Sequence, residues 1–185
     1  NRILNSADAV AAFQTAGRLQ HLFFLPIMCI AHGLVTLVGM FYGANRMDLV
    51  KTVVKYGLTM GIGIAATFGI IFYIGAEFML NGFTNSAAII SIASNYFEIL
   101  VFSFPFVTLG MISSRIMQGL GHGTPMLIIT ALRVILISAP LAWYFTRILG
   151  KPIEFVWYSM LLSSFFAGSF AFTWMRRIIS KPVTV

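Results

Sequence analysis

Apolar residues run almost without interruption through 23–41, 53–80, 87–112, 126–146 and 153–175. Only punctuation separates these stretches: Gly43, Ala44 and Asn45; Asn81-Gly82 and Asn85-Ser86; the run GLGHGTP at 119–125; and GKP at 150–152. A bilayer crossing needs about 20 mostly apolar residues, so each stretch predicts a transmembrane helix. With their flanks, the helices are predicted over 8–42, 49–80, 87–118, 125–147 and 153–176. The fold class that follows is all-α, a polytopic membrane bundle of five spans with no soluble domain and no internal repeat.

Details within the spans sharpen this outline. No breaker precedes Pro26 in the first helix, which is long enough to project beyond the bilayer or tilt, and Pro26 removes a backbone donor and should kink it. Asp48 is placed to start the second helix. Gly57, Gly61, Ala65 and Gly69 form a four-residue-spaced stripe of small side chains along that helix, which predicts close approach of a neighbour in lipid. Pro105 and Pro140 fall inside the third and fourth spans.

Composition confirms the membrane reading. The chain is 59% hydrophobic and 9% charged, against about 25% charged in a soluble domain. Its 18 Phe and 10 Met suit lipid-facing surface or a wall that re-packs around varied shapes. The single Cys29 excludes an internal disulfide and any Cys-based metal site. The net charge of +7 reads as topology, because the basic residues are dispersed at span ends and form no stripe for nucleic acid. Arg46, Lys51 and Lys55 lie between spans one and two, Arg115 and His122 between three and four, and Arg176, Arg177 and Lys181 after span five; Glu77, with no basic residue, lies between two and three. Positive charge stays inside, so the C-terminus is expected in the cytoplasm and the N-terminal end, with Arg2 and Asp8, outside. Arg147 and Lys151 dissent, partly offset by Glu154. An outside start without an initiator Met predicts a C-terminal fragment of a longer protein.

Few residues are candidates for chemistry. Glu98 is expected about 16 Å into the third span, where a carboxylate must be protonated, hydrated or paired. Arg133, in the antiparallel fourth span, is the evident partner; the alternative is that it snorkels to the headgroups. Gln14, Arg18 and His21 share one face of the first helix and could line an outer vestibule or simply meet solvent. His32 lies deeper and could titrate or bond across helices. No HExxH, no metal-spaced His/Cys cluster and no Walker lysine occur, Ser113 and Ser114 have no evident base, and the pattern implies neither an enzyme nor a cofactor.

Several segments resemble the multidrug and toxin extrusion (MATE) family, in its second six-helix lobe. They are NRILNSADAVAAFQTAGRLQHLFFLPI with its Arg18-Leu19 pair, GLVTLVGMFYGANRMD, FSFPF, RIMQGLGHGTPM and LRVILISAPLAW. The resemblance covers nearly the whole chain. It implies two lobes of six helices, with these five as helices eight to twelve of a multi-pass transporter of the cell (inner) membrane. The partners implied are a missing N-terminal lobe, membrane lipid, a cationic amphipathic drug or toxin, and the proton or sodium ion exchanged for it. The chain departs from the family at Met40, where Gln is usual, and at Phe106-Val107-Thr108, where some members carry an Asp; the second departure speaks against a sodium site in this lobe. Alternatives are a lipid-linked saccharide flippase of the same superfamily, which Arg18, Arg115 and Arg133 would suit, and a structural membrane subunit.

The orientation is testable by cysteine labelling in a Cys29→Ser background. Asn81→Cys should react with an external membrane-impermeant reagent, and Lys51→Cys and His122→Cys should not; the reverse pattern would invert the topology.

Overall fold

The computed structural model describes residues 2–82, 86–148, 150 and 154–180. Asn85, Lys151, Pro152 and Lys181, used above for turns and orientation, lie outside the described residues, as do the side chains of Arg2, Asp8 and Glu154. Every described element is helical: α1 (Arg2–Gly43), α2 (Met47–Asn81), α3 (Ala87–Leu100), α4 (Phe104–Gly119), α5 (Thr124–Ala131), α6 (Ala139–Trp143) and α7 (Glu154–Ile179). They make five apolar spans: Val10–Gly43, Met47–Asn81, Ile89–Gly119, Thr124–Ile148 and Phe155–Ile179. α1 has 42 residues, about 63 Å at 1.5 Å per residue, twice a hydrocarbon core of roughly 30 Å.

Two of the chain reversals turn on left-handed residues. Asn45 has φ 57°, with Asn45 N–H donating to the Tyr42 carbonyl at 3.0 Å and Arg46 N–H to that of Phe41 at 2.9 Å. This paired closure satisfies the last carbonyls of α1. Gly121, φ 88°, closes α4 in the same way, through Gly121 to Gln118 and His122 to Met117. The sequence marks both turns, but the left-handed residue of the first is Asn45 and not Gly43. Arg46 then donates from Nε and Nη2, one edge of its guanidinium, to the two carboxylate oxygens of Asp48 at 3.0 and 2.9 Å, so Asp48 enters α2 as a first-turn acid and supplies no cap.

Two spans predicted as plain helices are interrupted, each just before a proline. In the third, Val101–Ser103 forms a tighter 3-10 turn between α3 and α4. Pro105 has no N–H for the Val101 carbonyl, and Phe104 N–H takes it instead. In the fourth, Leu132–Ser138 and Tyr144–Ile148 are wide π-type turns on either side of α6, which carries Pro140.

Packing follows small residues. Each member of the α2 stripe is buried. A Cβ on Gly57 would strike Leu34 of α1 at 2.5 Å, one on Gly61 would overlap Ile112 of α4 and sit 3.3 Å from Thr108, and one on Gly69 would lie 3.2 Å from Val101. Two further crossings bring backbone to backbone. A Cβ on Gly119 would lie 2.8 Å from the Val35 carbonyl oxygen of α1, and one on Gly168 of α7 would overlap the Phe106 carbonyl of α4. The core has two parts. Phe72 stacks on Phe97 at 4.6 Å and meets Phe23 and Phe104 edge-on; the other part gathers Val38, Val50, Ile112, Ile116, Met117 and Met175. α4 is central, touching α1, α2 and α7, whereas the fourth span packs chiefly on α7, with α5 also against α4. Its Leu127, Ile135 and Leu136 stay about two-thirds exposed or more.

Gly168→Ala should therefore cost about 1–3 kcal/mol of stability through overpacking, and Gly61→Leu should impair folding outright. Gly63→Ala, with open space around it, should be neutral or mildly stabilising through helix propensity. Thermal unfolding in detergent checks this series, and a Gly168→Ala protein as stable as wild type would contradict the packing.

Candidate functional site: a cleft beside Arg133

Because α1 and the fourth span do not pack on one another to any extent, a gap remains between them, floored by α3, α4 and α7. It holds two adjoining chambers. The larger, about 440 Å³, is walled by His21, Phe24 and Met28 of α1, Tyr96 of α3, Ser138 of the fourth span and Met160 of α7, among others. The smaller, about 210 Å³, lies where α4 and α7 cross and includes Phe106, Arg115, Met126, Thr130 and Gly168. Val107, Met111, Arg133 and Ser164 line both.

Arg133 stands at the second residue of the first π-type segment, and such widened turns are frequent at functional sites. Its side chain has no hydrogen-bond or ion-pair partner among the described residues; the one ion pair there is Arg46–Asp48. On a lipid face, a guanidinium near midspan costs about 2.5–3.5 kcal/mol or more. The cleft spares it that cost, which is the physical reason for its direction.

Polar groups around it are mostly committed. Tyr96, buried, donates its hydroxyl to Gln20 Oε1 at 2.7 Å, which leaves the Gln20 amide nitrogen as a donor. Ser103, Ser163 and Ser164 donate to the carbonyls of Leu100, Met160 and Met160, so they offer only lone pairs. Phe13, Tyr96 and Trp157 form an aromatic cluster near the end of the larger chamber, with Phe13 stacked on Trp157 at 5.8 Å.

The candidates from the sequence are thus separated. Glu98 does not meet Arg133: it is exposed, on the face of α3 that also carries Ser91 and Asn95, and lines neither chamber. The helical phase of α3 turns it away from the bundle. Of Gln14, Arg18 and His21, all exposed, only His21 lines the cleft, where Gly17, Gln20, Phe24 and Met28 continue the face. His32 bonds the Met28 carbonyl of its own helix at 2.7 Å and no neighbouring helix. Sequence reasoning missed Met28, Met111, Met160, Gln20 and Tyr96. It also passed over the buried small-residue row Ser159, Ser163, Ala167 and Ala171 on α7, whose four-residue spacing matches the α2 stripe and was there to be read.

The MatE family model matches residues 2–144. The chain belongs to the MatE family. Two relatives described as probable multidrug resistance protein NorM are similar to it. That of Thermotoga maritima is 24% identical over 168 residues, 90% of this chain and 36% of its own length. That of Pseudomonas putida is 24% identical over 188 residues, 97% of this chain and 40% of its own. The chain therefore spans about two fifths of the length of these relatives. The same fold occurs in an outward-facing multidrug resistance MATE family transporter of the MOP superfamily (TM-score 0.87, 24% identity, 94% of this chain and 39% of that one). It occurs too in a MOP superfamily transporter from Pyrococcus furiosus whose binding pocket is described as of reverse polarity (TM-score 0.87, 24% identity, 96% and 41%). MatE proteins are membrane transporters and not enzymes.

A double-mutant cycle tests the placement of Glu98. In the MatE chain Glu98→Gln and Arg133→Met should act independently, with a coupling below about 0.5 kcal/mol. Rescue of Glu98→Gln by Arg133→Met, read as thermal stability, would restore the ion pair.

Proposed function

We propose that this chain is helices eight to twelve of a two-lobe secondary antiporter, completed by an N-terminal lobe, that exports amphipathic small molecules in exchange for protons or sodium ions. Family membership supports the transport class. The observation that carries the reading is the cleft: a wall of Met28, Met111, Met160 and Phe24 suits apolar cargo of varied shape, since methionine re-packs readily. Rocking of one bundle against the other would open such a cleft alternately to each side, in the cell (inner) membrane with the C-terminus cytoplasmic. The cationic cargo expected from the resemblance finds no carboxylate on this wall among the described residues, so its counter-charge and the coupling carboxylate would come from the N-terminal lobe.

Efflux of a panel of cationic and anionic amphipathic dyes from cells lacking other exporters tests this. The full-length protein should expel part of the panel in a manner abolished by collapsing the proton or sodium gradient. Met111→Trp should reduce that efflux about tenfold, the effect of roughly 1.4 kcal/mol, at unchanged membrane abundance. Gradient-independent efflux, or full activity of Met111→Trp, would contradict the proposal.

A further inference from the structure

We infer that Arg133 anchors the anionic head group of an amphipathic ligand, with the ligand's apolar body lying on Met28, Met111, Met160 and Phe24. The inference rests on the transport reading only in taking the cleft as the cargo site. It assigns to this wall a charge preference opposite to the one expected for the family.

The chemistry of the lining decides the sign. Arg133 borders both chambers, Arg115 borders the smaller one and His21 the larger. No carboxylate lines either chamber among the described residues. Glu77 faces a separate polar hollow with Asn81, Ser91 and Asn95, and Glu98 is exposed on the same side of α3 as Ser91 and Asn95. Arg115 donates to Gln118 Oε1 at 3.0 Å and so is partly engaged, whereas Arg133 is wholly free among the described residues. A guanidinium offers five N–H donors in a planar fork that matches a carboxylate, sulfonate or phosphate. It shares its lining with thioethers, an aromatic ring and serine lone pairs, and no anion among the described residues competes for it. The Gln20 amide, held by Tyr96, supplies a second donor on the same cleft. A cation placed there would meet no carboxylate among the described residues. The ligand class is therefore an organic anion with a bulky apolar body, supplied either as a soluble amphiphile or as an anionic lipid.

The test is binding, independent of transport, to the full-length protein in nanodiscs. Taurocholate, a sulfonate on an apolar body, should bind in phosphatidylcholine discs. The affinity should fall at least tenfold in Arg133→Met and by less in Arg133→Lys, which keeps the charge and loses the fork. Should Arg133→Met fail to fold, a Val134→Cys variant serves instead: taurocholate should slow its modification by a water-soluble maleimide, and ethidium should not. Adding phosphatidylglycerol to the discs separates the sources. Competition with taurocholate assigns the site to a lipid head group as well, and absence of competition assigns it to soluble cargo; both support an anion at Arg133. Taurocholate binding that ignores Arg133, or protection of Val134→Cys by ethidium and not by taurocholate, would overturn the inference. Gradient-driven efflux of cationic dyes together with that outcome would leave the transport reading standing. Arg133-dependent binding without any efflux would do the reverse.

Discussion

Helices in a bilayer gain nothing by hiding apolar surface from water, because lipid tails are as apolar as leucine; what they gain comes from close contact and hydrogen bonds. Among the described residues the closest approach of backbone to backbone is the crossing of α4 and α7, where Gly110 faces Gly168 and the Phe106 carbonyl occupies the space of a missing Cβ. α1 meets α4 in a similar way, at Gly39 and Gly119, and α2 presses its glycine stripe on Leu34, Ile112 and Val101. These contacts bind α1, α2, α3, α4 and α7 into one body. The fourth span lacks such a row and leans chiefly on α7, and the space left between it and α1 is the cleft.

The same backbone chemistry shapes the cleft's edges. Two of the three interruptions precede a proline, a tight turn before Pro105 and a wide one before Pro140, and the third follows Pro140. A tight turn advances helical phase and a wide one retards it, so both change which side chains face inward. Leu100 and Ser103 border the cleft on one side of it, and Arg133, Val134 and Ser138 on the other. Hydroxyls bonded to their own backbone, such as Ser163 and Ser164, need no water in order to sit in such a wall. Arg133 is different: with no partner among the described residues, it needs water, a ligand or another part of the protein.

Much of the fold was legible in the residues. Five uninterrupted apolar stretches, bounded by Gly and Asn, gave five spans, and four-residue spacing of small side chains marked the α2 contacts. The cleft was not legible in the same way. Depth along a helix follows from counting residues, but facing depends on phase, and the 3-10 and π-type turns shift phase by amounts that a regular 3.6-residue repeat cannot register. Glu98 is a simpler case: it lies in the regular α3, before the 3-10 turn, and counting suggested Arg133 as its partner although its ordinary helical phase puts it with Ser91 and Asn95 on the exposed face. Arg133 itself was found because a guanidinium within an apolar stretch is conspicuous. Met28, Met111 and Met160 were invisible among ten methionines because nothing in their spacing distinguishes a cleft wall from a lipid-facing one.

That cleft wall and lipid face are distinct surfaces of the fourth span is the claim on which the account depends. Water-soluble maleimide applied to the full-length protein in native membranes, in a cysteine-free background, measures it directly. Ser138→Cys, on the cleft, should react, and Leu136→Cys, about two-thirds exposed on the outer side, should be protected by hydrocarbon. Equal protection of the two positions, or faster reaction at 136, would mean that the gap beside Arg133 is not a hydrated cleft.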